Sequence, residues 1–206
     1  MFLLKEKILM KKRTIALLMA VVMLFGMTVA GTLAWLQATS DPVVNTFTVG
    51  DIVIDLNESD VDNDNDTKAN EYKVIPGEKY VKDPVVTVKK GSEPCYVFVE
   101  IVESGNTFGD DKYIQYGINT ADWTKVTGTT RNVYYYKDVV NALEAEVVMT
   151  STVLATVDGK QITINSEIEK TNMTAATSAT ITFNAFAVQS ANIANAQAAW
   201  DATFGA

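Results

Sequence analysis

The chain has 206 residues, with 17 Lys and Arg against 25 Asp and Glu, for a net charge of -8 and no histidine. That length fits one ordinary domain plus a leader, and the missing histidine excludes Ser-His-Asp and Cys-His catalysis and the HExxH zinc site. A single cysteine, Cys95, excludes an intrachain disulfide, so burial must hold the fold, with Cys95 expected inside a strand.

The chain begins with a basic stretch carrying Lys5, Lys7, Lys11, Lys12 and Arg13 against one anion, Glu6. From Thr14 to Ser40 no side chain is charged, and Ile15 to Phe25 is a compact apolar run ending at Gly26. A small-residue segment, Val29-Ala30-Gly31-Thr32-Leu33-Ala34, follows. Basic start, apolar middle and small exit are the three parts of a signal peptide, predicted here as a helix within residues 1–34 and cut between Ala34 and Trp35. An uncleaved anchor is the competing reading, because Thr14 to Ala34 is long enough to span a bilayer. Either way the remainder, 35–206, is one domain delivered outside the cytoplasm, secreted or at the cell surface. The leader holds five cations and one anion, so that body stands near -12. Such a surface repels phosphate backbones and anionic membranes, which leaves nucleic acid out as a partner.

Beyond the leader the apolar period is two. Phe47 and Val49 alternate, then Ile52, Ile54 and Leu56 alternate in the opposite phase, with a bulge expected at Gly50-Asp51. Val86 and Val88 continue the pattern. Cys95, Val97, Val99 and Ile101 form one face of a strand whose other face carries Tyr96 and Phe98, as a central sandwich strand would. Val133–Tyr136, Glu146–Val157, Gln161–Asn165 and Ala179–Val188 add strand-like runs, and Asp158-Gly159 predicts a tight turn. Trp123 is read as a loop anchor. Ile193, Gln197, Trp200 and Phe204 recur at helical spacing, predicting a terminal helix over Ala191–Phe204 capped by Asn192. The whole predicts an all-β fold, a jelly-roll-like two-sheet sandwich with a short C-terminal helix.

One loop carries ligand-like chemistry. Asp60, Asp62 and Asp64 alternate, and Glu71 is twelfth counting from Asp60, so oxygens stand at positions 1, 3, 5 and 12 of an EF-hand-type Ca2+ loop. Asn65 occupies the position where that loop wants Gly, and Asn is among the residues that enter the left-handed region most readily. No flanking helices are predicted, so a solvated acidic loop stays open beside the Ca2+ reading. No other cofactor is implied. Paired carboxylates at Glu144 and Glu146, or Glu100 and Glu103, have the spacing of surface charges, and Tyr134-Tyr135-Tyr136 reads as strand packing with Tyr134 and Tyr136 on one face.

Several stretches together resemble one family. Gly31-Thr32-Leu33-Ala34-Trp35-Leu36 runs into Asn45-Thr46-Phe47-Thr48-Val49-Gly50-Asp51-Ile52; Ile75-Pro76-Gly77-Glu78-Lys79-Tyr80 precedes Lys82-Asp83-Pro84-Val85-Val86-Thr87-Val88; and Phe183-Asn184-Ala185-Phe186-Ala187-Val188-Gln189 precedes Ala198-Ala199-Trp200. These are similar to the TasA/camelysin family of Gram-positive bacteria, whose leaders are cut by a dedicated SipW-type signal peptidase. The resemblance implies an exported jelly-roll domain and, as in the fibre-forming members, self-association into filaments of the biofilm matrix. It implies that the freed segment with Trp35, Leu36, Val43, Val44, Phe47 and Val49 adds as a strand to a neighbouring subunit. Camelysin-type members have also been called metallopeptidases; without histidine a catalytic zinc would need carboxylates and one cysteine, so the chain reads as a non-enzyme. A monomeric extracellular binding module is the alternative.

Overall fold

A computed structural model describes residues 12, 14–17, 19–20, 50–105, 107–109, 112–168 and 176–205. The chain divides into two compact units, Met1–Thr48 and Val49–Ala206. In the first, the described residues are helical and exposed. Among the described residues no helix is long and apolar enough to cross a membrane. The expected cleavage pair Ala34 and Trp35, and the expected donor residues Leu36, Val43, Val44, Phe47 and Val49, lie outside the described residues.

The second unit is mainly β. Its described strands are β1 (Ile54–Asn57), β2 (Lys79–Tyr80), β3 (Val85–Val88), β4 (Ser92–Glu103), β5 (Ile114–Tyr116), β6 (Trp123–Lys125), β7 (Val133–Tyr136), β8 (Val140–Ala142), β9 (Val147–Val148), β10 (Ile162–Ile164) and β11 (Ile181–Gln189), before a helix, Ala196–Phe204. They form three antiparallel sheets ordered β1-β3-β9, β2-β10-β5 and β11-β4-β7-β6, with β8 also paired to β4.

The twelve residues of β4 organise the unit, because a strand sends alternate side chains to opposite faces. Cys95, Val97, Val99 and Ile101 enter a core shared with Val86 and Val88 of β3, Phe183 of β11 and, half-buried, Ile52, Ile54 and Leu56. Tyr96 and Phe98 enter a second core under the helix, where Trp200 lies 5.3 Å from Phe98, 6.0 Å from Phe186 and 4.6 Å from Phe204, ring centre to ring centre. Tyr134 and Tyr136 point to the first core and Tyr135 to the second, as the alternation predicts. A third, smaller core gathers Phe108, Ile114, Ile162 and Ile164 beneath the β2-β10-β5 sheet.

Several elements differ from expectation. Trp123 is the first residue of β6, buried, its indole N–H donating to Ser151 O at 3.0 Å, so it anchors a strand rather than a loop. The run Glu146–Val157 contributes only the two-residue β9 to a ladder. Beyond it, Leu154 makes an isolated antiparallel bridge to Ile118, flanked by backbone bonds from Asn119 N–H to Val153 O and from Ala155 N–H to Gly117 O. Asn119 Nδ2 and the Trp123 indole hold Ser151 and Thr152 by side-chain bonds, while Met149, Val153 and Leu154 stay buried. The helix starts later than its apolar spacing suggests. Asn192 adopts φ 62 in a turn closed by Ile193 N–H to Ser190 O, and Asn195 is the cap, accepting from Ala198 N–H at 2.9 Å. Asp158 and Gly159 form the expected tight turn, both at positive φ, with Val157 and Lys160 exchanging backbone hydrogen bonds.

Candidate functional site

Three features stand out: the acidic loop, the cavity beside it and the outer edge of β11. The loop leaves β1 at Glu58. Asp60, Asp62 and Asp64 each place a carboxylate oxygen within 4.8 Å of the others. The loop folds on its own side chains: Asp60 accepts from Asn63 N–H at 2.7 Å and Asn65 N–H at 3.0 Å, and Asp64 accepts from Asp66 N–H at 2.8 Å. Such Asx contacts let short polar residues turn the chain tightly, and Asn63 and Asn65 both take left-handed φ. Glu71 is placed differently from its expected role. Its backbone N–H donates to Asp62 Oδ2 at 2.6 Å, and its carboxylate does not join the three aspartates. That donation holds the Asp62 carboxyl below the usual carboxylate range, while the other Asp62 oxygen, Oδ1, is buried without a hydrogen-bond partner among the described residues. The donor set is hard oxygen, suited to Ca2+ rather than zinc, and lacks the twelfth-position ligand.

Behind the loop is a cavity of about 630 Å3. Phe108, Ile114, Ile162 and Ile164 form its apolar wall; Glu58, Asn70, Tyr72 and Lys82 form its polar wall. Lys82 is buried, its Nζ 2.6 Å from Glu58 Oε2, with the Tyr72 and Phe183 rings 5.5 and 5.6 Å away. Tyr72 donates its hydroxyl to Val81 O at 2.9 Å, and burial pushes its ionisation upward. The Tyr80 hydroxyl, also at the cavity, is buried with no hydrogen-bond partner among the described residues. Sequence reasoning missed this cluster, because Glu58, Asn70 and Lys82 form no motif.

The remaining candidates resolve into packing. Glu100 is paired with Arg131 and Glu146 with Lys89, Glu103 accepts from the Tyr116 hydroxyl, and Glu144 is exposed, so neither carboxylate pair frames a reacting group. Cys95 is fully buried, and burial pushes its thiol up to about 11, which keeps it protonated and unreactive at neutral pH.

The edge of β11 follows from its register. Nine residues pair with β4, from Ile181 opposite Glu103 to Gln189 opposite Cys95. Thr180 O accepts from Ser104 N–H and Ser190 N–H donates to Pro94 O, so even-numbered residues bond to β4. Alternation turns the N–H and C=O of Ile181, Phe183, Ala185, Ala187 and Gln189 to the opposite edge. Among the described residues no strand pairs there; β1 comes near it without forming a ladder. The chain matches no family model, no curated protein and no solved structure.

Proposed function

We propose that this chain is a secreted, non-enzymatic structural protein of the cell surface or biofilm matrix, of the TasA/camelysin kind. In this reading a signal peptide within 1–34 delivers a jelly-roll-like domain, with the sheets of β3 and β4 as its two facing layers. Signal peptidase cutting after Ala34 frees the segment beginning at Trp35, which adds as a strand to another copy. The observation that supports strand addition is the outer edge of β11: nine residues long, backed by the core, and without a strand partner among the described residues. Such an edge accepts an extended peptide through main-chain hydrogen bonds, and a head-to-tail arrangement does not close, so it grows into a filament. Ca2+, where it binds, is a ligand of the Asp60–Asp64 loop.

The cavity favours a second reading, a monomeric extracellular module that takes a small ligand with an apolar body. Sequencing the N-terminus of protein recovered from culture medium, with light scattering on the same sample, separates the two. A start at Trp35 with particles that grow with concentration, and growth lost on deleting 35–49, is the result expected of a filament subunit. The same start with a monomer overturns assembly and leaves the binding module.

A further inference from the structure

The acidic loop and the cavity meet at Glu58, and we propose that this is where the chain forms an autocatalytic amide cross-link between the Lys82 amine and the Asn70 carboxamide. Glu58 Oε2 accepts from Lys82 Nζ at 2.6 Å and from Asn70 Nδ2 at 3.2 Å. One carboxylate oxygen therefore holds the nucleophile and the leaving group within two hydrogen-bond lengths of each other. The Asn70 carboxamide is fixed on its remaining sides. Its Nδ2 also donates to Ser59 O at 3.0 Å, and its Oδ1 accepts from Val61 N–H at 2.8 Å. The Lys82 and Glu58 side chains are 7% and 9% exposed, and the Tyr72 and Phe183 rings flank the amine. The Lys82 amine is thus largely shielded from solvent on the same carboxylate oxygen that holds the Asn70 amide.

Each part has a role in acyl transfer. Glu58 takes a proton from the Lys82 ammonium, and the freed lone pair on Nζ attacks Asn70 Cγ, forming the Nζ–Cγ bond. Charge developing on Oδ1 is met by the Val61 N–H that already points at that oxygen. Glu58 returns its proton to Nδ2, the Cγ–Nδ2 bond breaks, and the nitrogen leaves as ammonia. Nζ gives its second proton to the same carboxylate, which passes it to the departing ammonia and ends ionised as it began. The balance is one ammonium and one carboxamide giving one secondary amide and one ammonium ion, with nothing oxidised or reduced. Holding amine and carboxamide on one carboxylate oxygen makes the step unimolecular, which is what lets so unreactive an electrophile react. The product ties the end of the acidic loop to the strand entry before β3, a covalent staple in a chain whose single cysteine cannot provide one.

Tryptic peptide mapping of the purified full chain tests this directly. The expected result is one branched species joining residues 69–73 to residues 80–89, uncut after the acylated Lys82, with a mass about 17 Da below that of the two peptides together, the mass of ammonia. Recovery of unlinked 69–73 with a free peptide ending at Lys82 overturns the proposal, and this arm needs no variant to fold. Glu58→Gln, checked for native structure by circular dichroism, is expected to leave the two peptides separate. Full linkage in Glu58→Gln overturns the role given to Glu58.

Discussion

At the scale of single residues, the side chain that most constrains the second core is charged. Glu100 follows Tyr96 and Phe98 on the helix-facing side of β4, where a carboxylate needs partners to be buried. It has three bonds: Arg131 Nε at 2.7 Å, Arg131 Nη2 at 2.9 Å and Asn184 Nδ2 at 3.1 Å. The Arg131 guanidinium in turn stacks 5.1 Å from the Phe186 ring and 4.9 Å from the Trp200 ring, so one ion pair links β4, β11 and the helix. Arg131, chiefly through its hydrogen bonds, holds the Glu100 carboxyl below its ordinary 4.5. A carboxyl depressed in the folded state contributes stability that is present above its unfolded value and lost as pH falls through the folded one. The melting temperature is therefore expected to fall as pH drops below 4.5, and Glu100→Gln to flatten that part of the profile. At neutral pH the substitution should cost about 1–2 kcal/mol, less than the ~3–5 of a fully buried broken pair, because Arg131 stays 36% exposed. Chemical unfolding at two pH values measures both, and an unaltered acid limb would show that other carboxylates govern it. Asp55 is one of those. Its hydrogen bond from Lys68 brings it to about 2, so its share is lost later, as pH falls from 3.8 toward that value.

At the scale of elements, strands long enough to show their period are legible in the sequence, and short ones are not. β4, β7 and β11 run for four residues or more in apolar or aromatic segments, and their faces follow directly from the two-residue period. β2, β5, β6 and β8 have two or three residues each, too few for a period, and exist because longer neighbours or partner strands offer them a ladder. The acidic loop divides the same way. The two-residue spacing of Asp60, Asp62 and Asp64 is visible in the sequence and brings their carboxylates together, and Asn65 takes the left-handed backbone that its position requires. Where Glu71 points depends on the path back toward β2, which no local pattern encodes. The Glu58, Asn70 and Lys82 contact is likewise a product of the fold. A loop with three carboxylates and no twelfth-position ligand is expected to bind Ca2+ weakly, at the affinity of extracellular modules, about 10⁻⁴–10⁻³ M. Ca2+ at about ten times its Kd should then stabilise the chain by about 1.4 kcal/mol. Thermal melts with and without millimolar Ca2+ read this as a rise in melting temperature, absent from an Asp62→Ala, Asp64→Ala double variant; equal melts for the unsubstituted chain would mark the loop as solvated turn structure.

At the scale of the whole molecule, the question is what pairs with the β11 edge, which has no strand partner among the described residues. Antiparallel sheets protect their edges with charge, proline, bulges or brevity. β11 shows none of these over its nine residues: it has no Lys, Arg or Pro and pairs with β4 in unbroken register. A proline at a position whose N–H points away from β4 removes one bond offered to an incoming strand and leaves the existing ladder intact. Ala187 is such a position. Ala187→Pro is therefore expected to keep the fold, with a melting temperature close to that of the unsubstituted chain, while concentration-dependent particle growth falls or disappears. Proline at the neighbouring Phe186 is the control, since its N–H belongs to the β4 ladder and its ring to the second core, so that variant should lose stability outright. Growth unchanged in a stable Ala187→Pro protein would mean that filaments, if formed, use another edge. Growth lost in Ala187→Pro, and equally on deleting 35–49, would make β11 the acceptor of the segment freed by leader cleavage.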